Sequence, residues 1–283
     1  SMQIIKTIDE LRRILKNQSS IAFVPTMGNL HAGHIQLVEV AKQHTDFVVV
    51  SIFVNPLQFG PTEDLASYPR TLEVDCEKLQ AAGASIVFTP SVEEMYPDFD
   101  GKNLNQTMTI TPPPIASELC GATRPGHFAG VATVVMKLFN MVQPNVAIFG
   151  QKDFQQLFII KQMVKQFNLP IEIIGVDTVR EPSGLAMSSR NGYLTDAQRA
   201  SASQLNSALQ SIVKSVKNGN KHYIELEQQA KAELNSQGWL TDYISIRSSE
   251  SLLPANSADT KLVVLGAAKL GNTRLIDNLV FSI

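Results

Sequence analysis

Two histidines, His31 and His34, lie three residues apart in the run Pro25-Thr26-Met27-Gly28-Asn29-Leu30-His31-Ala32-Gly33-His34. A strand-like apolar stretch, Ile21 to Val24, precedes the run, and a helical pattern over about 33–43 follows it. On a helix the two rings share a face. The first turn of that helix offers unpaired backbone N–H groups and the positive end of the helix dipole, a setting for phosphate. Two imidazoles there can donate to phosphate oxygens whose charge grows in a transition state. Gly33 leaves room for a nucleotide to approach the backbone. A surface pair and a metal site compete with this reading. Neither a Glu after the first His nor a third ligand at metal spacing accompanies the pair.

Two further segments carry charge where it could serve the same phosphate. In Phe149-Gly150-Gln151-Lys152-Asp153-Phe154-Gln155-Gln156, a strand again passes into a helix. Lys152 supplies a point charge, and Asp153 can accept from ribose hydroxyls. The Asp153 to Gln156 spacing reads equally well as a helix cap. In Leu185-Ala186-Met187-Ser188-Ser189-Arg190-Asn191, two hydroxyls precede an arginine, an anion clamp on a loop. Its place at a domain junction suits a mobile lid.

The elements that must position these groups alternate. Strand-like runs at 21–24, 47–54, 85–88, 146–149 and 171–176 are apolar on both faces, as parallel strands covered on both sides are. Helical patterns fall at about 8–16, 33–43, 71–82, 130–142 and 154–167, which implies right-handed βαβ units in an open parallel sheet. Thr7-Ile8-Asp9-Glu10 reads as a capping box, and Gly83 and Pro144 follow helix ends. Ligands of such sheets bind at the carboxyl ends of the strands, where the His run and Gly150 both fall. After about residue 178 the pattern becomes α+β. Thr195 is predicted to cap one long helix ending near Asn218-Gly219-Asn220, a second helix covers about 223–236, and strands follow at 243–247, 262–265 and 275–283, the last broken at Asp277-Asn278. The expected fold is a Rossmann-like α/β domain over 1–178 with a smaller α+β domain over 179–283.

The chain has 283 residues, 44% hydrophobic and 18% charged, enough to bury a core. Lys plus Arg number 24 and Asp plus Glu 26, a net charge of −2, which favours no nucleic-acid or anionic-membrane partner. Two widely spaced cysteines, Cys76 and Cys120, make neither a disulfide framework nor a zinc pattern. With no signal peptide and no apolar run of membrane length, a cytoplasmic enzyme is expected. No Gly-x-x-x-x-Gly-Lys-Ser/Thr or Gly-x-Gly-x-x-Gly follows a strand, which argues against a P-loop kinase and a dinucleotide dehydrogenase.

Together the segments resemble the pantothenate synthetase family. Pro-Thr-Met-Gly-x-Leu-His-x-Gly-His stands whole at 25–34, Phe-Val-Asn-Pro-x-Gln-Phe at 53–59, and Arg-Pro-x-His-Phe-x-Gly-Val-x-Thr-Val-Val at 124–135. Phe-Gly-x-Lys-Asp-x-Gln-Gln-Leu follows at 149–157 and Ser-Ser-Arg-Asn-x-Tyr-Leu at 188–194, with a looser match at 274–278. Ser183 stands where the family usually has an aspartate. The resemblance implies that ATP and pantoate form pantoyl-adenylate, which β-alanine converts to pantothenate and AMP. It places ATP on Met27, Gly28, Asn29, Leu30, His31, Ala32, Gly33 and His34. The nucleotide's further contacts would be Gly150, Gln151, Lys152, Asp153, Val179, Met187, Ser188, Ser189 and Arg190. His34 matches the position of the catalytic acid, with His31, Lys152 and Arg190 assisting. Gln58 and Gln156 match pantoate ligands, Gln58 also borders the β-alanine site, and Arg124 and His127 would line the same cavity. The resemblance also implies Mg²⁺ with ATP and a homodimer through the first domain.

Two rivals differ at named residues. An adenylyltransferase acting on a phosphate substrate needs a second cationic pocket, against which the amides of Gln58 and Gln156 argue. A nucleotide-sensing protein without turnover could dispense with Lys152 and His34.

Overall fold

The computed structural model describes residues 1–63 and 65–283. The chain divides into two compact units: one comprises Ser1–Gln151 with Gln155–Asp177, the other Lys152–Phe154 with Thr178–Ile283.

The first unit is built on β1 (Gln3–Ile5), α1 (Ile8–Leu15), β2 (Ala22–Thr26), α2 (Ala32–His44), β3 (Val48–Ile52), α3 (Leu72–Ala82), β4 (Ile86–Phe88), α4 (Val92–Met95), α5 (His127–Val142), β5 (Val146–Gly150), α6 (Phe154–Gln166) and β6 (Glu172–Val176). The six strands form one parallel sheet in the order β1-β4-β3-β2-β5-β6. Successive strands step outward from β2 through β3 to β4, then restart beside β2 with β5. The order therefore reverses between β2 and β5, the switch point at which open α/β sheets bind ligands.

Alternate residues of each strand feed different cores, as a period of two requires. Phe23, Val49, Ile86 and Phe149 share one with Leu11 and Leu15 of α1 and Val131, Val135 and Leu138 of α5. Val24, Val50, Val87 and Ile148 share the other with Leu37, Val38 and Ala41 of α2 and Leu79 of α3. Both faces are thus covered, the physical reason these strands read as continuous apolar runs. Thr7 caps α1 through its hydroxyl on the Glu10 N–H, and Gly83 ends α3 in the left-handed conformation at φ 91°. The strand at Gln3–Ile5 has only Ile5 buried and gives no periodic signal.

The second unit carries α7 (Asp196–Ser201), α8 (Gln204–Lys217) and α9 (Tyr223–Ser236) beside an antiparallel sheet of β7 (Leu240–Ser248), β8 (Lys261–Leu270) and β9 (Thr273–Ser282), in that order. Leu205, Leu209 and Ile212 of α8 pack on Ile246, Val264 and Leu275. Thr195 does cap its helix, with reciprocal bonds to Gln198 of 3.0 and 3.1 Å, but the expected single long helix is two, parted at Ala202-Ser203. The expected break at Asp277-Asn278 is absent: β9 runs through both residues, which are buried and bonded within the unit. Among the described residues no helix is long and apolar enough to cross a membrane.

Candidate active site

The His run occupies the link from β2 to α2, and its geometry is set locally. Thr26 Oγ1 donates to Ser51 O at 2.8 Å and accepts the Gly28 N–H at 3.2 Å. Gly28 then turns left-handed at φ 85° and Asn29 follows at φ 54°. A non-glycine residue in that region costs energy and needs outside support. Asp75 of α3 gives it: its two carboxylate oxygens accept the Asn29 and Leu30 N–H groups at 2.8 and 2.9 Å, and Thr71 Oγ1 donates to it at 3.0 Å. Lys78, one turn on, donates to Leu30 O at 2.8 Å. Asp75 is 1% exposed, and it was not among the residues expected from the sequence. Burial of the neighbouring Cys76 thiol raises it, and the Asp75 charge adds to the shift.

The two histidines cap α2 reciprocally. His31 is the N-cap residue and its Nδ1 accepts the Gly33 N–H at 3.0 Å, while His34 Nδ1 accepts the His31 N–H at 3.2 Å. Their ring centroids lie 4.2 Å apart. Each Nδ1 is thereby an acceptor, which places the proton of the neutral ring on Nε2. Gly33 has a tighter reason than space for a ligand. A Cβ there would meet the His31 ring at 2.7 Å.

Gln58 closes the short 3-10 turn Pro56–Gln58 after β3 and is 9% exposed. Asn55, itself 1% exposed, fixes its amide: Asn55 Nδ2 donates to Gln58 Oε1 at 3.0 Å and to Gly130 O at 3.2 Å, and Tyr96 donates its hydroxyl to Asn55 Oδ1. Burial pushes the Tyr96 phenol up, so it stays a donor. With Oε1 taken, the Gln58 side chain presents its NH₂, which lies 3.5 Å from Met27 Sδ. His127 pairs with Gln58 O at 3.1 Å and with Arg124 Nη1 at 3.3 Å. Arg124 in turn holds Glu63 by a forked pair of 2.6 and 3.1 Å, which lowers the Glu63 carboxyl. Of the two groups expected to line the cavity, His127 is engaged by the Gln58 turn and Arg124 by Glu63 and His127. Gly130 of α5 lies against the same turn; a Cβ there would come within 2.6 Å of Gln58 Cα.

At the end of β5, a Cβ on Gly150 would meet nothing within 4 Å among the described residues. Gln151, Lys152 and Asp153 form a 3-10 turn into α6. Asp153 is exposed and its carboxylate accepts no hydrogen bond among the described residues, so the cap suggested by its spacing to Gln156 is not made. Gln156 is half-buried. Its neighbour Gln155 is the anchored amide, bonded to Cys120 N, Ile115 O and Glu118 O at 3.0, 2.9 and 2.9 Å.

In the second unit, Val179 and Met187 are brought together, with the Met187 N–H donating to Val179 O at 2.9 Å. Ser188 caps the 3-10 turn Ser189–Tyr193 by accepting the Arg190 N–H at 3.1 Å, and Arg190 Nη1 reaches Arg274 O at 3.4 Å. Lys152 and Ser188 line one small cavity of this unit, together with Ala186, Asn206 and Asp277. Among the described residues no group of three His, Cys, Asp or Glu could hold a metal ion.

The profile of the pantoate-beta-alanine ligase family matches residues 3–280. Pantothenate synthetase of Methylobacillus flagellatus is 63% identical over 100% of both chains, and that of Thiobacillus denitrificans is 54% identical over 98% of this chain and 96% of its own. The crystal structure of the Thermus thermophilus pantothenate synthetase superposes with a TM-score of 0.91 at 44% identity, covering 98% of this chain and 99% of that one. A Francisella tularensis pantoate-beta-alanine ligase, complexed with beta-gamma ATP and β-alanine, gives 0.81 at 36% identity over 99% and 98%. On a match that spans nearly its whole length, the chain belongs to the pantoate-beta-alanine ligase family.

Proposed function

We propose that this chain condenses pantoate with β-alanine at the expense of ATP, through bound pantoyl-adenylate. A pantoate carboxylate oxygen attacks the α-phosphorus, a P–O bond forms, and the bond to pyrophosphate breaks. The β-alanine nitrogen then attacks the acyl carbon, AMP leaves with the C–O electrons, and the amine gives up a proton. Carboxylate oxide is a poor leaving group and AMP a good one, so the protein's work is placement and charge stabilisation.

The observation that carries this reading is the reciprocal His31/His34 cap beside the switch point of the sheet. It holds two imidazoles as neutral Nε2–H donors at a helix N-terminus, suited to phosphate oxygens that gain charge. A proton on Nδ1 would cost each ring its backbone bond, so His34 acts here as a hydrogen-bond donor rather than as an imidazolium acid. The Gln58 NH₂, oriented by Asn55, suits a carboxylate or hydroxyl acceptor. Gln156 is assigned as the second pantoate ligand. Lys152, Ser188, Ser189 and Arg190 supply donors and charge for the phosphates, and Val179 and Met187 the contacts to the base. The Francisella tularensis relative's beta-gamma ATP and β-alanine support the substrate pair. Against a phosphate acceptor in place of pantoate stands Arg124, whose charge is already matched by Glu63.

Mg²⁺ is expected to arrive on the ATP phosphates, its usual manner of binding. The same reading extends to a cytoplasmic homodimer, as the family resemblance implies, and sedimentation will check its mass.

Labelled pyrophosphate exchange into ATP tests the order of chemistry. Label should enter ATP with pantoate present and β-alanine absent, and omission of pantoate should stop it. Formation of ADP and phosphate would reject adenylation, as would failure of a rapid quench to find pantoyl-adenylate on the protein.

A further inference from the structure

Residues 179–187 of the second unit form a small antiparallel ribbon. Arg180 and Ala186 bridge across it, Glu181 N donates to Leu185 O at 2.8 Å, and Gly184 N to Glu181 O at 2.9 Å, with Gly184 left-handed at φ 96°. Val179 and Met187 face each other at its open end. A ribbon this short is not stable by itself in water. What fixes it is one guanidinium. Arg180 donates to Gly184 O at 3.0 Å, closing its own turn, and makes a forked pair with Asp277 of β9 at 2.7 and 2.9 Å. A fourth bond, of 3.3 Å, runs to Asn278 O.

The Asp277 side chain is 3% exposed, and its oxygens also accept from Asn206 Nδ2 at 3.3 Å and from Asn278 N at 2.7 Å. Asn278 then turns its own amide outward along the chain of contacts, donating to Lys152 O at 3.0 Å. A planar fork fixes orientation as well as distance. Two adjacent residues of one strand therefore set both the ribbon that ends in Val179 and Met187 and the backbone that carries Lys152. A stability role alone would not require the contacts to converge on these two segments.

We propose that Asp277, acting through Arg180 and Asn278, is a positioning residue for the nucleotide, setting the Val179–Met187 ribbon and the Lys152 backbone in the arrangement that receives ATP. The inference rests on the reading of these segments as ATP ligands.

The test uses the full chain and its Asp277→Asn, Arg180→Lys and Asn278→Ala variants, with Kd for ATP by calorimetry well below each melting temperature and KM for pantoate and β-alanine. Asp277→Asn leaves the half-buried Arg180 cation without its anion and should raise Kd for ATP about tenfold or more. Arg180→Lys keeps the charge but loses the fork, and should fall between that variant and wild type. Asn278→Ala leaves the ion pair intact and should weaken ATP by a few-fold, as loss of one hydrogen bond does. KM for pantoate should stay within about twofold throughout, a selectivity that loss of folded protein does not produce. A lower melting temperature with ATP affinity unchanged would overturn the inference. If Asp277→Asn does not fold, unchanged ATP affinity in the other two overturns it equally. A wild-type chain that binds no ATP defeats the underlying reading, whereas wild-type binding beside unaltered variants defeats this inference alone.

Discussion

The loop from Thr26 to His34 and the ribbon from Val179 to Met187 are both short and irregular, both include assigned nucleotide contacts, and each hangs on one buried aspartate distant in sequence. They differ in what the carboxylate grips. Asp75 takes two consecutive backbone N–H groups and so dictates the dihedral angles of Gly28 to Leu30 themselves. Asp277 takes a side-chain guanidinium and so orients the ribbon as a body while leaving its internal geometry to its own turn. Backbone capture suits a segment whose atoms must stand at fixed points around a reacting phosphate. Side-chain capture suits a segment that only has to present a surface.

That contrast is open to attack by mutation, beginning where the effect should be largest. His34→Ala removes an Nε2–H donor and one half of the reciprocal cap. Adenylation should fall roughly 10²–10³-fold, about 2.7–4 kcal/mol, as for loss of one oxyanion-type donor. Single-turnover rates with ATP and pantoate will measure it, and near wild-type turnover would remove the loop from the chemistry. Asp75→Asn comes next. Its NH₂ must face a backbone N–H, so one of the two bonds is lost and a buried donor is left unpaired. A cost of about 1.5–3 kcal/mol follows, read as a slower adenylation rate together with a lower melting temperature. A stability loss with adenylation unchanged would mean that the loop holds its dihedrals without help. The smallest effect belongs to Arg190→Ala, at an exposed position of the second unit. Adenylation should slow by about tenfold or less, in line with loss of a charged hydrogen bond at a solvated site, while the melting temperature stays nearly unchanged. Lys at 190 should restore only part of it, because it lacks the planar fork. Unaltered kinetics with a large stability loss would make the turn at 189–193 structural.

Much of the first unit was legible in its residues. Runs such as Val48-Val49-Val50 are apolar on both faces because helices cover both, so the parallel sheet reads directly from them. The chemistry-bearing run at 25–34 stands between a strand and a helix in sequence and does so in space. The carboxylates behind the two segments were not legible. Asp75 lies among Glu73, Glu77 and Lys78, a pattern that looks like a solvated helix face, and its partners are 45 and 46 residues away. Asp277 and Asn278 have low strand propensity and suggested a break, yet Arg180 and Asn206 satisfy them inside β9. Likewise Asn55 and Tyr96, whose bond orients Gln58, are 41 residues apart. In each case the deciding partner is tertiary, and local pattern carries no trace of it. The helix cap that the Asp153 to Gln156 spacing equally allowed is the opposite case, a local pattern that is legible but unused.

The contact between Gly130 and the Gln58 turn has an evolutionary reading. Every glycine codon lies one base change from an alanine codon, so Gly130→Ala arises readily in any lineage or mutant library. The single methyl group it adds would need the space now filled by the Leu57 and Gln58 backbone, with Leu57 O at 2.7 Å and Gln58 N at 2.8 Å. Backbone, unlike the tip of a flexible side chain, yields only by moving the whole turn. The proposed pantoate contact of Gln58 is therefore epistatic with position 130, a helix residue packed against its turn. Libraries that vary Gln58 while holding Gly130 fixed will sample new amides on the existing turn, whereas drift at 130 would discard the turn itself.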